Sequence, residues 1–241
     1  MTFAAQHRWD RNFMLMLAGF AWLGVGMGFG LDMLNNARRG HHYLPIVHLH
    51  AATFVSWMLL FTAQIWLVRS GRVQTHRKLG IGLAGLALFM VLTGPLTQYM
   101  VAAANIDKPS ADPAFLSVSM LGMLAFGVLV GAALLLRRQG TAHKRLMLLA
   151  TLGLTSAGFA RWLGIWFGEA FGDGPWGLAL LLYACNDSLV LAIGAYDWLT
   201  RRRLHPAWVG GTAFLLATQW LSIWLYFQPW WLALCKAWLK G

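Results

Sequence analysis

An all-α, polytopic membrane fold follows from three features of this 241-residue chain. Hydrophobic residues make up 59% and charged residues 11%, against about 45–50% and 25% in soluble domains. Seven apolar stretches recur along it, each close to the roughly 20 residues that cross a bilayer core as a helix. The 19 Lys and Arg stand almost wholly between those stretches. The expected architecture is one transmembrane domain over residues 1–241 with seven transmembrane helices. These are built as one helix plus three hairpins and end in a short C-terminal interfacial helix.

The first span, near 12–34, follows Arg8 and Arg11 as a signal peptide would. It runs on with no small-x-small cleavage site and reads as an anchor that stays. The second (near 44–68), fourth (near 115–136), sixth (near 176–199) and seventh (near 206–227) open at Pro45, Pro113, Pro175 and Pro206; a missing N–H does no harm in a first helical turn. The third, near 79–102, holds Pro95 between Thr93 and Thr97, which predicts a kink and a freed carbonyl. The fifth, near 146–168, carries Arg161. After Pro229 the Trp-rich segment 230–238 is too short to span and suits the membrane interface.

Assigning sides alternately gives one side thirteen cations: Arg8, Arg11, Arg69, Arg72, Arg77, Lys78, Arg137, Arg138, Lys144, Arg145 and Arg201 to Arg203. The other side receives five: Arg38, Arg39, Lys108, Lys236 and Lys240. The asymmetry predicts a bacterial-type inner membrane protein with its N-terminus cytoplasmic and its C-terminus outside. It also explains the net charge of +11 without nucleic acid. Cys185 and Cys235 lack any CxxC spacing, so neither a disulfide framework nor a zinc ribbon is encoded. No lysine lies inside a span, which argues against a retinal protein, and no nucleotide-binding loop is present.

Three turns on the cation-rich side share a pattern in which cations close one helix and a histidine, His76, His143 or His205, opens the next. Their spacing predicts three related hairpins. Histidines so placed can ligate haem or a metal, donate to a quinone carbonyl, or bind lipid phosphate beside Arg and Lys. Ionisable groups at membrane depth are costly and point to function. Arg161 and Asp187 lie about 12 and 17 Å from the outer ends of their helices. The expected contact is an ion pair between them, serving as a helix lock or, with Asn186, as a catalytic or transport site. Asp187 adjoins a stripe of Tyr183, Asn186, Val190, Ile193 and Asp197 that should face the interior. On the second span His50 belongs to a similar stripe ending at Gln64, whereas His48 lies about 200° away from it. Asp32, His41, His42 and Glu169 gather at the outer ends and form the expected alternative set of metal ligands.

The run from His48 and His50 through Gln64 to His76-Arg77-Lys78-Leu79-Gly80 resembles a family of uncharacterised bacterial multi-pass membrane proteins in which His-Arg-x-x-Gly opens a helix. It also resembles the cytochrome b561 type over about a third of the chain. That second resemblance implies haem b held by paired histidines on facing helices, drawn here from His48, His50, His76, His143 and His205. Apart from His48 and His50 no span has a histidine in its outer half, which makes a single inner haem from two of His76, His143 and His205 the simpler expectation. Three functions therefore stand. One is a haem-containing redox protein serving a quinone or another lipid-soluble molecule. The second is a zinc- or other divalent-metal-dependent intramembrane hydrolase. The third is a transporter or assembly factor using Arg161, Asp187 and Asn186 in the lipid bilayer.

Overall fold

The computed structural model describes residues 7–40 and 42–240. They form nine α-helices: α1 (Asp10–Arg38), α2 (Pro45–Arg69), α3 (Val73–Ala104), α4 (Leu116–Leu135), α5 (Gly140–Phe159), α6 (Ile165–Phe171), α7 (Pro175–Arg201), α8 (Pro206–Tyr226) and α9 (Pro229–Lys240). A 3-10 turn, Pro113–Phe115, leads into α4, and a π-turn, Ala160–Gly164, joins α5 to α6 without a break. The described residues contain no strand. Six helical stretches are long and apolar enough to cross a membrane: Asp10–Arg38, Pro45–Arg69, Val73–Ala104, Pro113–Leu135, Gly140–Phe171 and Pro175–Arg201. The 21-residue α8 is not among the six; it carries no charged residue and buries Thr212, Thr218, Gln219 and Ser222 against the bundle.

Pro45, Pro175 and Pro206 stand in the first turns of α2, α7 and α8, and Pro113 opens the 3-10 turn. Two starts differ from the apolar pattern: α3 and α5 each begin six residues before their expected spans, at Val73 and Gly140. A hydropathy window sees only the lipid-facing part, whereas Gly71, at φ 75°, turns the chain so that His76, Arg77 and Lys78 are already helical. Pro95 lies within α3, where Thr93 and Thr97 fold their hydroxyls back onto the carbonyls of Phe89 and Thr93 at 2.8 and 2.7 Å.

The core runs through Trp57, Met90, Phe126, Leu149, Leu152, Val190 and Ile193. Trp57 is wholly buried, its edge against Phe126 and its indole N–H donated to Thr151 Oγ1 at 3.3 Å. The first helix packs on α5 through small residues: a Cβ on Gly28 would lie 2.0 Å from the carbonyl oxygen of Gly158. Such close backbone approach is how helices associate where lipid is as apolar as the side chains. Large apolar side chains point outward along the bundle, among them Leu59, Ile81, Leu88 and Leu92, as contact with acyl chains requires. Against the 3-10 turn packs α9, burying Trp231, Cys235 and Leu239 and leaving Trp230 and Trp238 exposed.

Candidate functional site

At the cation-rich end the bundle brings His76 of α3 and His143 of α5 together, ring centroids 6.4 Å apart and planes at 85°. His143 Nδ1 bonds the carbonyl of Ala133 on α4 at 2.8 Å. A carbonyl only accepts, so that nitrogen carries a proton, and in the neutral ring Nε2 is the atom with the lone pair. His76 Nδ1 is buried with no hydrogen-bond partner. Gln64 of α2 donates Nε2 to the His76 carbonyl at 3.2 Å, and its own Oε1 is buried without a partner. Four helices thus contribute to one polar locus that holds two unsatisfied atoms, and buried polar groups normally have partners.

The third histidine is placed elsewhere, which corrects the expectation that any two of the three might pair. His205 Nδ1 accepts the Ala207 N–H at 3.1 Å and caps α8, while Nε2 meets Thr141 Oγ1 at 3.1 Å. Burial first, then the charge of Arg145, holds this imidazole below the ordinary histidine range, with Asp197 opposing. A base whose folded-state pKa is depressed leaves the unfolded chain binding more protons. Its contribution to stability is therefore complete above the unfolded value of about 6.5 and declines as pH falls below it. Thermal unfolding followed from about pH 7 to pH 5 should show Tm falling, and His205→Asn, which keeps an acceptor for the cap, should flatten that slope.

Beside this locus lies an ion network that the sequence reading did not find. Asp197 of α7, wholly buried, accepts Arg145 Nε at 2.6 Å and also its Nη2, and Arg201 Nη1 stands 3.6 Å away. Arg201 Nη2 in turn reaches both carboxylate oxygens of Asp10 at 2.7 Å. Asp10 also accepts Lys144 at 2.7 Å and the Tyr196 hydroxyl at 2.8 Å. The ends of α1, α5 and α7 are tied together in this way. The available signal was the charge count: Asp10 and Asp197 are the only two acids in the sequence on the side that carries thirteen cations.

The expected Arg161–Asp187 pair does not form. The π-turn aims Arg161 at α1, where its guanidinium lies 4.6 Å above the Phe29 ring and 3.9 Å from Asp32 Oδ2. Asp187 Oδ1 instead accepts Gln219 Nε2 at 2.9 Å and Asn186 Nδ2 at 3.3 Å. Asn186 is wholly buried on the stripe with Val190, Ile193 and Asp197. The outer metal set is not assembled either. Asp32 serves Arg161, His42 and Glu169 are exposed, and His41 lies outside the described residues. Among the described residues no three His, Cys, Asp or Glu side chains converge on a metal position. His48 is exposed, its ring edge-on to Tyr43, whereas His50 lies on Phe54 with a buried, unpartnered Nδ1.

No family model, curated protein or solved structure matches this chain.

Proposed function

We propose that the chain is a redox protein of a bacterial-type inner membrane that holds haem b between His76 and His143 and exchanges electrons with a quinone or another lipid-soluble molecule. The observation that carries this reading is the facing pair itself. The rings of His76 and His143 stand with centroids 6.4 Å apart and planes at 85°, and two imidazoles from different helices are the residues that would hold the iron of a haem b. The proton on His143 Nδ1, held by the Ala133 carbonyl, is the outer contact that orients a ligating imidazole. Gln64 does related work on α3 by holding the backbone at His76. When bound, the haem would supply one-electron transfer at a potential tuned by the residues that hold and surround it.

Seven spans complete the proposal, with α8 as the last and α9 at the outer interface, the N-terminus cytoplasmic and the C-terminus outside. The six apolar helices and the thirteen-to-five division of cations support that arrangement. The hydrolase alternative lacks three converging ligands among the described residues. Transport keeps Asp187 but loses Arg161 as its partner.

Protein purified from haem-replete cells should show a Soret band that is lost in His76→Ala and in His143→Ala and retained in His205→Ala. A colourless, iron-free preparation, or a band that survives both of the first two substitutions, overturns the assignment.

A further inference from the structure

Asp187 is twelve residues from the start of α7 and fourteen from its end. Those separations are about 18 and 21 Å at 1.5 Å per residue, which places the carboxyl near the middle of a bilayer core about 30 Å thick. Both of its hydrogen bonds come from neutral amides and both fall on Oδ1. From α7 it is faced by Tyr183 and Asn186, from α8 by Gln219, and from α5 by Thr155 through Asn186. The Arg161 guanidinium is turned to Asp32. No ion pair reaches Asp187 among the described residues, and a bare carboxylate at this depth is strongly disfavoured without a positive charge beside it.

Next to it, a cavity of about 50 Å³ lies between α4, α5, α7 and α8. Its wall is mostly apolar, with Ser156, Tyr183, Thr218 and Gln219 as its polar members; Asp187 does not line it but touches it through Gln219, and it meets the bundle surface at Gly122. That is more than the roughly 10–15 Å³ one water needs, and the polar groups give water its partners. Toward the cation-rich end the wholly buried Val190 and nearly buried Ile193 follow on the same helix and close the way. Both amides turn their N–H groups to Oδ1, so Oδ2 is the oxygen on which a proton would sit.

We propose that Asp187, held by Gln219 and Asn186, is an intramembrane proton-binding site, reached by way of the small cavity beside Gln219. It stands apart from the histidine pair and does not depend on a haem being present.

An apolar carbodiimide, which modifies a carboxyl group only when that group carries a proton, tests the site on the wild-type protein. The full chain in liposomes would be labelled in Na⁺-free buffer, from acid to neutral pH, and the modified residue located by mass spectrometry. Labelling at Asp187 well above that at the half-buried, ion-paired Asp32 is the expected result. Labelling that falls as pH rises and ignores added Na⁺ is the expected mark of a bound proton; slowing of at least tenfold by Na⁺ would place a metal ion on the carboxylate and overturn the proposal. Labelling of Asp187 no faster than of Asp32 also overturns the proposal. Neither result depends on the colour of the preparation, so the histidine reading and this one fail separately.

Discussion

Asp197→Ala is expected to lower the unfolding free energy by about 3–5 kcal/mol, the cost of removing one partner from a buried ion pair. The substitution strips Arg145 of its Nε and Nη2 acceptors and takes from Arg201 its neighbour on the same helix, and both guanidinium side chains are 3% exposed. Asp197→Asn keeps the shape and should fall in the same direction, because the charge is what has been lost. Adding Arg145→Met to Asp197→Ala should recover much of the deficit, since Arg201 retains Asp10 and no uncompensated guanidinium remains at Arg145. Equilibrium unfolding in mixed micelles measures each variant. A loss under about 1 kcal/mol for Asp197→Ala would mean that solvent, rather than the carboxylate, satisfies these cations.

The second large effect is steric. At Gly28 the added methyl of Gly28→Ala would stand 2.0 Å from a backbone oxygen of Gly158, which cannot rotate away as a side chain can. The first helix must therefore withdraw along its length, separating Gly24 from Phe159 as well. Overpacking of this kind costs about 1–3 kcal/mol. Gly26→Ala is the matched control: nothing lies within 4 Å of its Cβ position, and an alanine in mid-helix gains about 0.5–1 kcal/mol over glycine. The same unfolding measurement should separate the two variants, two residues apart, in opposite directions.

Where apolar length and a first-turn proline coincide, as at Pro45, Pro175 and Pro206, the helices were legible from composition alone. Parity on one helix was legible too: His48 and His50 diverge because two residues turn an α-helix by about 200°. Contacts between helices were not. Arg161 was assigned to Asp187 by depth, yet a five-residue π-turn rotates it toward a partner 129 positions earlier, and no periodicity announces such a turn. Arg145 and Lys144 were read as orientation charges at a helix end, although they lie inside α5 and face Asp197 and Asp10. The pairing of His76 with His143, rather than with His205, depended on the Ala133 carbonyl and the cap of α8, both set by packing.

The knot of charges at Asp10 also sets an order of events at the ribosome. Its carboxylate enters the membrane boundary with the first helix, but Lys144 is made 134 residues later and Arg201 191 residues later. At about 5–20 residues per second, the last of these delays is about 10–40 s. Until Lys144 is made the acid at the head of the chain stays with water and lipid headgroups, and its tether to α7 waits for Arg201. Closure of the bundle at this end is therefore a late step of biogenesis, and chains truncated before Arg201 should leave the first helix accessible to the insertion machinery.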